Sequence, residues 1–427
     1  MSQAGASDGG NEKDDPQQSI SVAFEEDQNW LSAYGKVKDS KGRALYSALV
    51  TLTLGVLGST VLPVPYAFSN CGIMTGVLTM LLVAFANDCT CCMLIRAAAY
   101  TGRSSYEQLA LWSGGRRAKI FTQISLILLL YGTMCGGLAF LSDVAHIMVE
   151  EGLNPASVPS LLRDDGRPVM ILVVLTVLLP LCLQRHIREF ERAATFGVVV
   201  VIALCSVIIH KAVSTGFPAV RDGELPVFKV KWNSHLPEAF AVLGFAFYMQ
   251  PMLMPLVKEM PPGPEGSAIS ERAVHITLYL VACGAYGTVG VFGASAFGSS
   301  TQSNIMVNRI LSGQTPTLIL YAALLGYLCC GMVTTHYALR ASLDELLVGP
   351  DAPFTWVRHV METLAILSAS VAVAVTFPTQ AEKIFALTGC TAVCLTCYVI
   401  PVYIHLTVCR HRTSVEKRRG VEEGGLR

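Results

Sequence analysis

The first long apolar stretch of this chain is interrupted in its middle. Residues 44–68 include several residues that favour a break in a helix: Gly55, Gly58, Ser59, Thr60, Pro63 and Pro65. In lipid, a freed backbone N–H or C=O finds no water to bond. A break of this kind therefore survives only where it lines a cavity enclosed by protein. The break predicts a membrane protein with an internal cavity, a feature typical of transporters.

Composition and apolar stretches predict an all-α polytopic membrane protein. Hydrophobic residues make up 52% of the 427 residues and charged residues only 15%, against about a quarter charged in soluble domains. A span needs roughly 20 mostly apolar residues. We number the ten stretches that meet this need as spans 1 to 10: 44–68, 72–96, 119–149, 168–184, 190–212, 237–257, 273–297, 316–343, 357–378 and 383–406.

The positions of the 31 Lys and Arg residues predict the orientation of the chain. Most of them fall on one side when both termini are placed in the cytoplasm, which is the arrangement that the positive-inside rule expects. Residues 1–41 are polar and acidic and are expected to form a disordered cytoplasmic tail. Residues 407–427 are expected to form a basic cytoplasmic tail. Whether the membrane is the plasma membrane or a vacuolar or lysosomal one stays open.

Span 6 is also interrupted, by Gly244 and Pro251, at the position that corresponds to the break in span 1. Ten spans divide into two repeats of five, 42–212 and 237–406, joined by an outer loop at 213–236. An odd number of spans in each repeat places the repeats in opposite orientations. This pattern is typical of the LeuT-type 5+5 inverted repeat of secondary transporters. Two unrelated proline kinks are the alternative.

The two breaks predict a site for a zwitterion such as an amino acid. Unwinding at Gly55 to Thr60 frees N–H groups beside the start of a half-helix, which suits a carboxylate. Carbonyl groups freed around Gly244 to Phe247 suit an ammonium group. We expect ten residues to contact the substrate: Gly55, Leu57, Gly58, Ser59, Thr60, Thr133, Gly244, Phe245, Phe247 and Tyr248. Packing between helices explains any single aromatic ring equally well.

Hydroxyl and ionisable groups inside the spans are candidates for ion coupling, namely Asp88, Thr334, Thr335 and His336. The two threonines either ligate sodium or bond backbone carbonyls one turn back. Asp88 and His336 either carry protons or make structural hydrogen bonds.

The fourteen cysteines do not predict a metal site. The groups Cys89-x-Cys91-Cys92 and Cys394-x-x-Cys397 have metal-like spacing, but no histidine or carboxylate cluster joins them in the sequence. Cysteine inside a membrane helix usually acts as a small packing residue. We therefore expect no metal and no cofactor.

Three motifs resemble those of the amino acid/auxin permease family. The run Gly58–Gly72 (GSTVLPVPYAFSNCG) resembles its span-1 signature, and Ser105–Ala110 (SYEQLA) is similar to its element before span 3. Phe245–Met260 resembles its sixth span, where an aromatic run leads to a proline and a Glu-Met pair. The resemblance covers residues 42–406. It implies an amino acid permease of LeuT-type fold driven by protons or sodium, similar to the neutral amino acid (system A/N) and vacuolar carriers.

The chain departs from that family's pattern in ways that bear on coupling and on substrate size. Sodium-coupled animal members carry Asn where this chain has Leu54, and Thr where it has Gly331. The second glycine of the span-1 signature is Thr60, which would narrow the site or donate a hydrogen bond. The eleventh span of many members is absent from this sequence. The resemblance with these departures implies proton coupling rather than sodium coupling.

Together these features predict a secondary active transporter that moves small neutral amino acids by alternating access, as a symporter. Its expected partners are the amino acid, a co-transported proton or sodium ion and the lipid bilayer, with no nucleic acid. The alternative is an amino acid sensor that binds substrate and signals through its cytoplasmic tail. An enzyme is not expected, because the sequence holds no paired carboxylates, H-E-x-x-H motif or nucleophile–base set on the inner spans.

Overall fold

The computed structural model describes most of the chain from Lys41 onwards, in seven segments: 41–152, 166–184, 190–261, 263–311, 313–349, 353–377 and 380–424. The predicted disordered tail 1–41, apart from Lys41, lies outside the described residues. The chain divides into two units after Ala44. The sites discussed below all belong to the second unit, Leu45–Arg427.

Every predicted span is occupied by helix, and the described residues contain no β-strand. We keep the span numbers for these helices. Their bounds are: span 1, Lys41–Val56 and Val64–Cys71; span 2, Ile73–Thr101; span 3, Tyr106–Gly152; span 4, Gly166–Val173, Val174–Leu178 and Leu179–Cys182; span 5, Phe190–Thr215; span 6, Leu236–Ala246 and Gln250–Glu259; span 7, Pro264–His275, Ile276–Ala282 and Cys283–Phe297; span 8, Gln314–Leu347; span 9, Trp356–Thr376; span 10, Ala381–Thr388, Gly389–Val399 and Ile400–Gly424.

The lengths and apolar character of these helices confirm an all-α polytopic membrane protein. Within the described residues, 8 helices are long and apolar enough to cross a membrane, and the bent pair in span 1 makes up to 9. Span 4 is a shorter apolar helix, Gly166–Cys182. The last helix continues to Gly424, so the structure has no helix end at the predicted boundary of the C-terminal tail near residue 406. The inverted-repeat relation between the two halves stays a prediction.

The break in span 1 separates two helices bent by 55°. The first helix ends at Val56, a single 3-10 turn covers Ser59–Val61, and the chain becomes helical again at Val64. Pro65 is the second residue of the second helix. Proline is tolerated there, because the first turn of a helix has no carbonyl partner for its N–H groups. The predicted break is therefore present, and local sequence accounts for it.

The break in span 6 lies a few residues later than the sequence suggests. The helix Leu236–Ala246 runs through Gly244, residues 247–249 are not helical, and the helix begins again at Gln250. A helix that ends at Ala246 still leaves the carbonyl groups of its last turn without helical N–H partners, so this end agrees with the expectation of freed carbonyls around Gly244 to Phe247, and their role in binding stays a prediction. A single glycine is tolerated inside a helix. Pro251, in contrast, sits in the first turn of the second half, and so marks where the helix restarts.

Glycines let span 3 approach span 10 closely. A Cβ atom on Gly132 would lie 2.2 Å from Thr388 Oγ1, and one on Gly136 would lie 2.5 Å from Phe385 Cε1. Both distances are far below contact distance, so a side chain at either position would force the neighbouring side chain to move. Small residues at such crossings allow membrane helices to pack closely. Span 3 therefore packs closely on the helix Ala381–Thr388 of span 10, which in turn packs on the first helix of span 6.

The predicted outer loop 213–236 packs on the junction of spans 1 and 2. The amide of Ile73 donates to the carbonyl of Pro226 at 3.2 Å, and the ammonium group of Lys231 donates to the carbonyl of Ser69 at 2.9 Å. Gly72, at the junction, has φ 91, a backbone region that favours glycine. Its ideal Cβ position lies 2.9 Å from the carbonyl oxygen of Lys229. The loop therefore fixes the end of the half-helix that follows the span-1 break.

Candidate substrate site

A cavity of about 50 Å³ lies where the span-1 break faces spans 3, 6 and 8. It is lined by Leu54, Gly55, Gly58, Ser59, Thr60, Thr133, Tyr248, Met252, Tyr327, Leu328, Gly331, Met332, Thr334 and Thr335. The structure brings together most of the predicted site residues here: Gly55, Gly58, Ser59, Thr60, Thr133, Tyr248, Thr334 and Thr335. Residues far apart in sequence, on four different spans, thus surround one space.

Four other predicted substrate contacts lie outside this lining. Phe245 packs on Phe385 with ring centroids 4.5 Å apart, and Phe247 packs on Tyr286 at 5.0 Å. Leu57 is buried. A Cβ atom on Gly244 would meet no atom of the described residues within 4 Å. For both aromatic rings the structure thus favours the alternative of packing between helices.

The span-1 break leaves backbone N–H groups beside the cavity. Among the residues that the structure describes, the amide nitrogens of Gly58, Ser59 and Thr60 have no backbone acceptor. All three residues line the cavity. Unpaired N–H groups at the start of a helical turn carry partial positive charge. They are suited to binding a carboxylate, as the sequence predicts.

One of the carbonyl groups expected to bind an ammonium, that of Ala246, is instead bonded to a tyrosine. The hydroxyl of Tyr286, on span 7, lies 2.5 Å from the carbonyl oxygen of Val56 and 2.9 Å from that of Ala246. The hydroxyl of Thr60 lies 2.7 Å from the same tyrosine oxygen. Thr60 Oγ1 also lies 3.1 Å from the carbonyl of Val56. Tyr286 therefore joins the two breaks at a point that does not line the cavity.

Side-chain hydroxyl groups provide the acceptors on the far side of the cavity. Thr133 donates to the carbonyl of Leu129 at 2.8 Å and lies 3.3 Å from the hydroxyl of Tyr248. Thr334 and Thr335 donate to the carbonyl of Gly331 at 2.8 and 3.0 Å. This is the backbone bonding that the sequence offered as an alternative to sodium ligation. Each hydroxyl keeps lone pairs for a ligand.

Tyr327 is a lining residue that the sequence did not single out. Its hydroxyl is buried and, within the described part of the chain, has no hydrogen-bond partner. Buried polar atoms without a partner are uncommon and call for an explanation. Tyr327 lies one turn before Gly331 on the regular helix of span 8, so the two residues share a face of that helix. In the sequence, this four-residue spacing was the only sign that Tyr327 would line the same cavity as Gly331. A polar ligand in the cavity would satisfy this hydroxyl.

The two ionisable coupling candidates both lie away from the cavity. His336 is fully buried in span 8, near Arg340, whose guanidinium donates to Thr363 at 3.0 Å. Protonating His336 would place a second positive charge beside that guanidinium. Asp88 lies between spans 2 and 7, where its carboxylate is 2.6 Å from Nδ1 of His275.

A buried polar network fixes the restart of span 6. Gln250, fully buried, donates to Asn87 Oδ1 at 3.0 Å and to Thr90 Oγ1 at 3.1 Å, both on span 2. Asn87 in turn donates to the hydroxyl of Tyr398 on span 10 at 2.8 Å. The side chain of Gln250 also accepts from the amide of Met249 at 3.0 Å. The break in span 6 is thus held by side chains from two other spans.

Comparison with known proteins decides the family. A family profile described as "Transmembrane amino acid transporter protein" matches residues 41–420. The chain belongs to this family. Membership confirms the resemblance found in the sequence and makes the chain an integral multi-pass membrane protein of the amino acid transport class, not an enzyme.

Two relatives show how far this family member has diverged. The chain is 24% identical to the sodium-coupled neutral amino acid symporter 2 of Danio rerio, over 92% of this chain and 82% of the relative. It is 23% identical to the putative sodium-coupled neutral amino acid transporter 10 of Xenopus laevis, over 84% of this chain but only 34% of that longer relative.

Proposed function

We propose that this family member is a secondary active transporter of small neutral amino acids, with the substrate bound in the cavity at the span-1 break. The observation that carries the proposal is that one cavity is lined both by backbone N–H donors and by residues with hydroxyl groups, which can accept hydrogen bonds. At the break, the amide groups of Gly58, Ser59 and Thr60 have no backbone acceptor among the described residues, and Thr133 and Tyr327, which carry hydroxyl groups, line the same space. The amides suit a carboxylate. Hydroxyl lone pairs and the tyrosine rings suit an ammonium group.

The size of the cavity supports a small substrate. Its volume of about 50 Å³ is several times the ~10–15 Å³ that one water molecule needs, but far below the roughly 300–1,000 Å³ of typical ligand pockets. Met252 and Met332 line it, and methionine side chains adapt readily to a ligand. We therefore expect alanine, glycine and serine to be carried better than leucine or phenylalanine.

We propose that protons drive the transport. Leu54 and Gly331 both line the cavity, and at these two positions the family resemblance implies Asn and Thr in sodium-coupled members. This chain thus lacks two oxygen ligands where a sodium ion would be coordinated. Both relatives are named as sodium-coupled, and Thr334 and Thr335 still offer hydroxyl oxygens, so sodium is the second candidate.

The architecture that we propose for this transport is the inverted repeat of five plus five spans, 42–212 and 237–406. In support, the first span of each half is interrupted and restarts with a proline as its second residue, Pro65 and Pro251. Alternating access would then arise from rocking of spans 1, 2, 6 and 7 against spans 3, 4, 5 and 8.

We also propose that both termini face the cytoplasm, of the plasma membrane or of a vacuolar or lysosomal membrane. Epitope tags at the two ends test the orientation in intact cells or organelles. In intact cells both tags should be protected from antibody, whereas on isolated intact organelles, whose outer face is the cytoplasmic one, both should be accessible.

The deciding experiment is uptake of a radiolabelled amino acid panel into proteoliposomes that contain the full chain, first with a proton gradient and then with a sodium gradient. Accumulation of small neutral amino acids driven by protons alone supports the proposal. Accumulation that needs sodium keeps the transporter but overturns proton coupling. Saturable binding with no flux under either gradient favours the amino acid sensor instead.

A further inference from the structure

Three side chains that can bind a metal ion meet between spans 2 and 7, away from the cavity. Asp88 and Cys92 are four residues apart on one helix, so they project from the same face. His275, the last residue of the first helix of span 7, faces them. One ligand atom from each residue lies within 4.8 Å of the other two. The cysteine spacing alone did not predict this group, because its histidine comes from a distant part of the chain.

The distances within the group are near those of a four-coordinate ion. Nδ1 of His275 is 2.6 Å from Oδ1 of Asp88, and Sγ of Cys92 is 3.9 Å from the same oxygen. Zinc binds such atoms at about 2.0–2.3 Å, and tetrahedral angles then separate neighbouring ligand atoms by roughly 3.3–3.7 Å. The histidine and the carboxylate need to separate slightly and the thiol to move closer. Each change is a small side-chain adjustment.

The donor set and its surroundings favour a divalent cation. Imidazole, thiolate and carboxylate together are typical zinc ligands, and the two anionic groups balance the charge of the ion. The ion pair Arg96–Glu271, at 2.9 Å, lies one turn away on both helices. Arg96 is exposed, and 48% of the His275 side chain is exposed. The group therefore lies next to polar surroundings, from which an ion and a water ligand can enter.

A fourth residue supports the carboxylate from outside the ligand set. The hydroxyl of Tyr279 donates to Oδ2 of Asp88 at 3.3 Å, leaving Oδ1 for an ion. Outer hydrogen bonds of this kind orient ligands in metal sites. Tyr279 belongs to the π-helical segment Ile276–Ala282 that begins directly after His275. Such wide turns occur frequently at functional sites.

We infer that Asp88, Cys92 and His275 form a zinc site that links spans 2 and 7, with water as the fourth ligand. The competing explanation is a hydrogen bond between Asp88 and His275 alone, with Cys92 as a small packing residue. The two explanations differ in the role of the thiol, since only a metal site uses it as a thiolate ligand.

Titration of the purified full chain in detergent with Co²⁺, a spectroscopic substitute for zinc, tests this difference. We expect one ion per chain, a thiolate-to-cobalt charge-transfer band, and loss of that band when Zn²⁺ is added. Cys92→Ser should abolish the band. His275→Gln removes a residue that binds the ion directly, so it should weaken zinc binding by at least about 100-fold, which is more than the loss of a residue that only hydrogen-bonds a ligand causes. Tyr279→Phe should weaken it by about 10–100-fold.

The matched control is Cys205→Ser, which removes a partly buried cysteine from the helix of span 5. It should leave the band and the zinc affinity unchanged. Folding is checked by a second measurement, since zinc should raise the Tm of the wild-type chain but not that of His275→Gln. A wild-type chain that is folded but gives no thiolate band overturns the inference. A band that persists in Cys92→Ser overturns it as well.

Discussion

The hydroxyl oxygen of Tyr286 lies 2.5 Å from the carbonyl oxygen of Val56, the last residue of the first helix of span 1. It also lies 2.9 Å from the carbonyl oxygen of Ala246, the last residue of the first helix of span 6. One side chain on span 7 therefore meets the backbone of both interrupted spans at the points where their helices stop. Carbonyl groups freed by a break need a partner in a membrane interior.

Replacing Tyr286 by phenylalanine should destabilise the protein and impair transport. The variant removes the tyrosine hydroxyl from both carbonyl groups; the hydroxyl of Thr60 still lies 3.1 Å from the carbonyl of Val56, whereas the carbonyl of Ala246 loses its contact with Tyr286. Each unsatisfied buried polar group costs about 1–3 kcal/mol, so the Tm in detergent should fall clearly. Tyr403→Phe is the matched control, because its hydroxyl, on an exposed side chain of span 10, bonds the carbonyl of Ser113 at 3.4 Å, outside the breaks. An unchanged Tm in Tyr286→Phe would show that the breaks do not depend on this contact.

Replacing Tyr327 by phenylalanine should weaken substrate binding without weakening the fold. Tyr327 lines the cavity, and its hydroxyl has no partner in the described structure, so its loss removes no internal hydrogen bond. A lost hydrogen bond to the substrate is worth about 0.5–1.5 kcal/mol, which corresponds to an increase of KM of about 2- to 13-fold. The measurement is initial uptake rate against substrate concentration, together with the Tm.

Tyr321, on the same helix, provides the opposite control. Its buried hydroxyl donates to the carbonyl oxygen of Met306. Tyr321→Phe should therefore lower the Tm and leave the KM of the folded fraction unchanged. If Tyr327→Phe instead lowers the Tm and keeps a wild-type KM, its hydroxyl is structural and the proposed site is wrong in this respect.

The double substitution Leu54→Asn with Gly331→Thr should introduce sodium dependence. Both positions line the cavity, and a Cβ atom on Gly331 would meet no atom of the described residues within 4 Å, so a side chain can begin there without a clash. The two new oxygens would join the hydroxyls of Thr334 and Thr335 around a cation. Uptake driven by a sodium gradient should rise above that of the wild-type chain. Gly331→Ala, which adds no oxygen, should show no such gain.

The breaks could be predicted from the sequence because their causes are local. Gly58 and Pro65 lie next to the residues that they affect, and the observed break in span 1 runs from the end of the first helix at Val56 to the start of the second at Val64. The predicted start at Gly55 was slightly too early, because this glycine is still helical. In span 6 the sequence suggests a break near Gly244, but the helix continues to Ala246, because a single glycine is tolerated inside a helix. Pro251 lies where the helix begins again.

The contacts that hold the breaks in place could not be predicted in the same way. Gln250 and Asn87 are 163 residues apart, and Tyr286 and Val56 are 230 apart. Nothing in the local sequence of either partner reveals the other, since only the packing of the spans brings them together. The same holds for His275 beside Asp88 and Cys92. Tyr327 was missed for a different reason, because it lies on a regular helix that contains no break.

Substituting alanine for two helical glycines compares a closely packed position, Gly132, with a position that has room for a methyl group, Gly244. Gly132→Ala should destabilise the protein by about 1–3 kcal/mol, the usual cost of overpacking, because its new methyl group would overlap Thr388. Gly244→Ala should be neutral or stabilise by up to about 1 kcal/mol, since alanine favours helix over glycine and no atom lies within 4 Å. The Tm of both variants and uptake by Gly244→Ala are the measurements. Gly244 lies outside the cavity lining, so uptake should persist; a well-folded Gly244→Ala variant without uptake would place this glycine at the substrate after all.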